Sequence, residues 1–124
     1  MARFLLICLG GAVGTGARYL FSTAMTRAFG NFPFGTLGVN VLGSFLASVL
    51  MVLALEKSAL SQDLRLILVT GVMGGFTTYS SFNYETLHLA QSGAPGLAVI
   101  NLAVTVVVCL AAGIAGIWVA RLAG

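Results

Sequence analysis

The chain has 124 residues, a formal net charge of +3, and 59% hydrophobic against 7% charged residues. A soluble domain usually carries about 25% charged residues, so these few charges cannot cover a surface that faces water. The composition predicts an integral membrane protein with one domain, residues 1–124. It argues against a nucleotide-binding domain, a disordered tail and a nucleic-acid partner. The first apolar stretch lacks a small-residue cleavage site and is expected to be mature structure, not a signal peptide.

Uncharged runs predict an all-α protein with four membrane-spanning helices. A helix needs about 20 residues to cross the roughly 30 Å hydrocarbon core. We therefore predict helices near residues 3–25, 35–55, 64–91 and 95–121. The first loop is expected at 30–33. Four spans put both termini and the second loop on one side, and the basic residues are almost balanced between the two sides. A chain with this balance could insert in either orientation.

Polar residues inside the second span recur every four positions, at Thr36, Asn40, Ser44 and Ser48. This spacing places them in one stripe along a helix. The stripe could be a hydrogen-bonded seam between helices, or it could line a pore or a ligand track. Asn40 favours the second interpretation, because an amide with two donors and two acceptors lies well inside the span.

The third span contains Gly71, Gly74 and Gly75 near its middle, followed by five Ser, Thr and Asn residues. Each glycine weakens a helix by roughly 1 kcal/mol relative to alanine. We predict a helix broken at mid-membrane, whose freed backbone groups could bind ions. The alternative is a continuous helix in which Gly71-x-x-x-Gly75 packs against a neighbour. Close packing also explains Gly10-x-x-x-Gly14 in the first span better than a phosphate-binding loop does.

The charged and aromatic residues of the spans favour a small anion as the ligand. No Asp or Glu lies near the middle of a predicted span, where amide and hydroxyl donors are found instead. Arg18 either reaches the interface or attracts anions at a vestibule. Glu85 is either interfacial or anchors the broken segment. Tyr79 and Phe82 share a helical face, and their positive ring edges could face an anion, although ordinary packing is the simpler interpretation.

Assembly and chemistry can also be predicted. No two acidic or nucleophilic groups can be brought into one pocket, so we expect no enzyme activity. Cys8 and Cys109 lie in apolar spans and are expected to pack there without a metal or a disulfide. Four helices pack their side chains solidly, so one chain is not expected to enclose a conduit. A homodimer or larger assembly is predicted, and the balanced charges allow an antiparallel arrangement.

Three runs, residues 10–19, 35–45 and 71–82, resemble the signatures of one family in the same order. Together the chain resembles the Fluc/CrcB fluoride channels over essentially its whole length. The resemblance implies a dual-topology antiparallel homodimer in the bacterial plasma (inner) membrane, with two fluoride pathways. It also implies passive and selective export of fluoride from the cytoplasm, which prevents fluoride toxicity.

The resemblance further implies roles for individual residues. Asn40 would be the pore asparagine, and Tyr79 and Phe82 would take the two ring positions. The positions expected along the fluoride pathway are Asn40, Tyr79, Phe82, Ser80, Ser81, Thr36, Arg18 and Glu85. The backbone carbonyls of Gly74 and Thr77 would bind a central structural sodium ion shared by both subunits.

The chain also departs from the family pattern. Tyr79 stands where the family usually has Phe, and Asn83 where a small hydroxyl is common. Cys109 aligns with a serine of the family and Thr105 lies one turn earlier; neither is assigned a role. Two other functions stay open: a small multidrug-resistance-like proton-coupled exporter, and a non-transporting membrane subunit. The exporter needs a carboxylate in the first helix, where this chain has none and Arg18 is the only charge well inside the span.

Overall fold

The computed structural model describes residues 1–30 and 32–124, and these residues form helices without any strand. The predicted all-α class is confirmed. The helical elements are α1 (Ala2–Phe29), α2 (Phe34–Leu55), α3 (Gln62–Arg65), a π-helical segment (Leu66–Met73), α4 (Gly74–Phe76), α5 (Tyr79–Gln91) and α6 (Pro95–Leu122). The predicted first loop at 30–33 includes Asn31, which lies outside the described residues.

Three of the described helices are long and apolar enough to cross a membrane: α1, α2 and α6, with 28, 22 and 28 residues. Many large apolar side chains on α1 and α6 are exposed on the single chain, as expected for surfaces that face lipid or a second copy. The predicted span 64–91 is not one long helix. It is divided into α3, the π-helical segment, α4 and α5, because the helix is interrupted between α4 and α5.

The interruption lies at Thr77 and Thr78, whose backbones are extended, with ψ angles of 158° and 111°. A broken third helix is therefore present, but it breaks two residues after Gly75 and not at the glycines. Gly74 and Gly75 are still helical, in α4. The position is set by the N-terminus of α5, where the Thr78 hydroxyl accepts a hydrogen bond from the Ser81 N–H at 3.2 Å and caps the helix.

The glycines form a close seam between α1 and the chain from the π-helical segment to α4. A Cβ on Gly14 would collide with the carbonyl oxygen of Val72, and one on Gly75 with that of Gly11. The close packing predicted for Gly10-x-x-x-Gly14 is confirmed, because a Cβ on Gly10 would lie 2.9 Å from the Ile67 carbonyl oxygen. Backbones approach this closely only where side chains are absent.

Two ion pairs lie at one end of the helices. The Arg3 guanidinium lies 2.7 Å from the Asp63 carboxylate. Arg121 contacts Glu56 through two hydrogen bonds, of 2.8 Å from Nε and 2.6 Å from Nη2, and this contact lowers the pKa of Glu56. The N-terminus, the loop after α2 and the C-terminus therefore meet at one end, in agreement with the prediction that they share a side.

Candidate ion-binding site at the helix break

The side chain of Asn40, on α2, closes the broken backbone at Thr78. Its Oδ1 accepts a hydrogen bond from the Thr78 N–H at 2.8 Å, and its Nδ2 donates to the Thr78 carbonyl oxygen at 3.0 Å. One side-chain amide thus pairs with both polar backbone groups of the same residue. This arrangement satisfies groups that the break would otherwise leave without partners, and it keeps one N–H of the amide free of this pairing.

The Thr78 side chain organises the first turn of α5. Its hydroxyl donates to the Ser81 Oγ at 3.1 Å and lies 3.4 Å from the Ser80 Oγ. Since the single Thr78 hydroxyl proton goes to Ser81, the Ser80 hydroxyl is the donor in the second contact. Three hydroxyls therefore form one hydrogen-bonded cluster beside the Asn40 amide.

A cavity of about 600 Å³ opens beside the break, between α2, α5 and α6. Its lining residues, all within the described ranges, carry no formal charge. Val69, Met73, Val106 and Leu110 provide much of the apolar wall. Its polar side chains are those of Asn40, Ser44, Thr77, Thr78, Tyr79, Thr105 and Cys109. An uncharged pocket with donors grouped on its walls can replace part of the water shell of a small anion.

Tyr79 and Phe82 line the same cavity. Their ring centroids lie 5.7 Å apart and the ring planes meet at 66°, an edge-to-face contact. The prediction that they share a helical face is confirmed. Phe82 is only 5% exposed, whereas Tyr79 is 76% exposed on the single chain. The two rings thus differ: one is part of the core, and the other is available to solvent, lipid or a second copy.

The comparisons with known proteins agree with this architecture. The family model described as "CrcB-like protein, Camphor Resistance (CrcB)" matches residues 5–117. A protein of Anaeromyxobacter dehalogenans named "Fluoride-specific ion channel FluC" is 58% identical, over 98% of this chain and 97% of its own length. Proteins with the same name from Sorangium cellulosum and a Chelativorans species are 56% and 42% identical, each over 98% of this chain and over 96% and 98% of their own lengths.

The chain belongs to the CrcB family. The names of these relatives describe ion channels and not enzymes, in agreement with the prediction that the chain has no enzyme activity. In this CrcB chain the residues that the family model matches, 5–117, include the helix break and every residue that lines the cavity.

The other positions predicted for the fluoride pathway lie outside the lining of this cavity, whereas the predicted sodium positions Gly74 and Thr77 are part of it. On α2, one turn before Asn40, the Thr36 hydroxyl donates to the Glu85 Oε1 at 2.7 Å. The second Glu85 oxygen is buried and has no hydrogen-bond partner among the described residues. Glu85 therefore links α5 to α2, as the anchoring interpretation expects. Arg18 is half-buried on α1 and forms no ion pair within the described part of the chain.

The backbone at the break offers carbonyl oxygens for a cation. The Thr78 N–H, which would close the helical bond to the Gly74 carbonyl, donates to Asn40 instead. The Ser81 N–H, which would do the same for Thr77, donates to the Thr78 hydroxyl. Gly74 and Thr77 thus lose their usual α-helical donors. Carbonyl oxygens of unwound helices suit sodium, so the carbonyl oxygens of Gly74 and Thr77 are suitable ligands for the ion that the resemblance implies.

Three further residues of this CrcB chain were not assigned to the site from the sequence. Thr105 is 7% exposed, and its hydroxyl has no hydrogen-bond partner in the described residues although it lines the cavity. Asn101 and Thr86 join α6 to α5 through a 2.9 Å hydrogen bond. An amide inside an apolar run drew attention to Asn40, and the same signal was available for Asn101.

Proposed function

We propose that the chain is a passive, fluoride-selective ion channel that exports fluoride from the cytoplasm of a bacterium and so prevents its toxicity. The observation that carries the proposal is the pairing of Asn40 with the broken backbone at Thr78, beside an uncharged cavity lined by Tyr79 and Phe82. The relatives named "Fluoride-specific ion channel FluC" support the choice of ion.

The residues of the cavity would act by replacing water around the ion. Fluoride is small and holds its water tightly, so a pathway needs several donors within short range. The second Asn40 N–H and the hydroxyls near it supply donors, and the ring edges of Tyr79 and Phe82 supply positive potential. A carboxylate would repel the anion, and Glu85, outside the cavity lining, is held on Thr36. Ser80, Ser81 and Arg18 would continue the pathway toward the surface.

We propose that the working unit is an antiparallel homodimer of two single-domain chains, each crossing the inner membrane four times. The interrupted chain from α3 to α5 would form the third crossing in chain order, in addition to those of α1, α2 and α6. Its position beside these three helices supports this assignment. The ion pairs that bring both termini to the loop after α2 support an even number of crossings. Exposed Tyr79 and Gly74 lie on surface that a second copy could cover.

A sodium ion would be held at the dimer interface by the carbonyl oxygens of Gly74 and Thr77 from each subunit. When bound, it would supply positive charge at the helix break. The protein's own contribution is to withdraw the two N–H donors from these carbonyls, through Asn40 and the Thr78 hydroxyl. No group of three His, Cys, Asp or Glu side chains within residues 1–30 and 32–124 offers another cation site.

Efflux from liposomes tests the channel. Purified protein is reconstituted into vesicles loaded with potassium fluoride or potassium chloride, and release is followed with ion-selective electrodes after a potassium ionophore is added. Rapid fluoride release without chloride release is the expected result. If folded dimer releases neither ion, the channel proposal is wrong, and the exporter and the non-transporting subunit become the readings to test.

The sodium proposal needs its own test. Protein is purified and reconstituted with sodium, lithium, potassium or a large organic cation as the only cation. Fluoride efflux is expected to fall when sodium is replaced by the organic cation and to return when sodium is restored. Equal efflux in all four conditions would contradict a role for sodium while leaving the channel proposal intact.

A further inference from the structure

Asn101 is the most deeply buried amide among the described residues. It is 2% exposed and lies within α6, two turns from the N-terminus of that helix. Its Nδ2 donates a hydrogen bond to the Thr86 Oγ1 of α5 at 2.9 Å. A polar group in the apolar interior is costly unless it is paired. The pairing stabilises the contact between the two helices, but Asn101 does not line the cavity.

Thr86 passes this contact on to Phe82. Its hydroxyl donates to the Phe82 carbonyl oxygen at 2.8 Å. A threonine hydroxyl has one proton, so Thr86 can only accept from Asn101, and the direction of both bonds is fixed. The chain therefore runs from the Asn101 amide, through the Thr86 hydroxyl, to the backbone of the residue whose ring lies in the cavity.

The helix that carries Phe82 depends on such contacts for its position. The backbone between α4 and α5 is extended, so the helical bonds of α4 cannot fix where α5 begins. Asn40 holds it at Thr78, one turn before Phe82. Thr86, one turn after Phe82, is held by Asn101. The ring thus lies between two anchors, one on α2 and one on α6.

We infer that Asn101 is a positioning residue that sets the placement of the Phe82 ring in the ion pathway by acting through the Thr86 hydroxyl. The inference rests on the proposed channel function and adds to it a residue outside the pathway. Loss of the amide donor would let α5 shift against α6 and would move the ring edge from the ion. Removing the outer partner that orients a metal ligand costs about 10–100-fold in affinity or activity, and we expect a loss at the lower end of this range for an outer partner that positions a ring.

Fluoride current through single channels in planar bilayers tests the inference, because each event reports a folded channel and loss of folded protein lowers only their number. The variants are Asn101→Leu and Thr86→Val, which keep shape but remove the hydrogen bonds, and their double variant. Each single variant is expected to lower the current per channel about tenfold. The double variant is expected to be no worse than either, since both break one chain of hydrogen bonds.

Two further variants separate positioning from packing. Thr86→Ser keeps the hydroxyl and is expected to retain the current within about twofold. Thr26→Val is the matched control, because the Thr26 hydroxyl donates to the Ser22 carbonyl at 2.9 Å on exposed α1 without any amide behind it. It is expected to leave the current unchanged. If Asn101→Leu does not fold, the comparison of Thr86→Val with these two variants still tests the inference.

Several outcomes would overturn the inference. Normal current per channel in Thr86→Val or Asn101→Leu, with fewer channels or a lower melting temperature, would assign the pair to packing alone. Losses that multiply to about hundredfold in the double variant would mean that the two residues act independently. A wild-type protein without fluoride current would instead contradict the proposed function, so the two failures can be told apart.

Discussion

In two regions of the same chain the backbone is contacted in opposite ways, in one without side chains and in the other through a side chain. At the seam between α1 and the chain around Gly71 and Gly75, side chains are simply absent, and backbone packs against backbone. At the break, a side chain from another helix takes the place of the missing helical bonds. Asn40 thus satisfies the N–H and the carbonyl oxygen of Thr78, which would otherwise be unpaired in an apolar environment.

The difference explains why the proposed ion site lies at the break and not at the seam. In the seam, backbone atoms of the neighbouring segment occupy the space that a Cβ on Gly10, Gly14, Gly71 or Gly75 would need. The break leaves the carbonyls of Gly74 and Thr77 without their usual donors and lies beside a cavity of about 600 Å³. Glycine lets two backbones approach closely, whereas the Asn40 amide pairs with the interrupted backbone beside a cavity. The seam therefore serves as a support for the break.

The largest effect is expected at the break. Asn40→Asp is expected to lower fluoride efflux from liposomes at least about hundredfold, as removal of an essential donor to an anion does, and to leave the elution volume on size exclusion unchanged. A carboxylate accepts from the Thr78 N–H but cannot donate to its carbonyl oxygen, and its charge repels fluoride. Ser48→Ala, on the same stripe of α2 but outside the cavity lining, is the control. Undiminished efflux from Asn40→Asp would mean that Asn40 does not line the pathway.

The seam is expected to respond in stability and not in selectivity. Gly14→Ala places a methyl group against the backbone of Val72 and Phe76, which cannot move aside, so a loss of about 3 kcal/mol is expected. Gly16→Ala is the matched control, because nothing lies within 4 Å of its Cβ. Helix propensity should then stabilise it by up to about 1 kcal/mol. Melting of both variants in detergent measures the difference, and equal melting temperatures would contradict the close seam.

The smallest effects are expected at the two rings. Phe82→Ile removes a buried ring edge and should lower fluoride efflux about tenfold, the upper range for one aromatic contact. Tyr79→Phe should change efflux less than about twofold, because the Tyr79 hydroxyl forms no hydrogen bond within residues 1–30 and 32–124 and the ring is retained. Normal efflux in Phe82→Ile would assign that residue to packing. A large loss in Tyr79→Phe would give the hydroxyl a role in the pathway.

The sequence predicted the all-α class correctly, because apolar length and charge placement determine it almost alone. It also predicted a break at mid-membrane, but it could not place that break at Thr77 and Thr78, since helix propensity is local. The position depends on the Thr78 cap of α5 and also on Asn40, which lies 38 residues before Thr78 and is brought there only by folding. The sequence left open whether Gly71 and Gly75 break the helix or pack against a neighbour, and the structure packs both against α1. Asn101 was missed because its partner, Thr86, can be identified only once α5 and α6 are paired.

The hydrogen bond from the Thr78 N–H to Asn40 makes this backbone amide proton a reporter for the separation of α2 from α5. A helix normally protects its own N–H groups from exchange with water, but Thr78 precedes α5 and is protected by a side chain of α2. Any motion that separates α2 from α5 exposes this proton, even if every helix remains intact. Its rate of exchange with deuterium therefore measures how often α2 and α5 separate, independently of how often the protein unfolds.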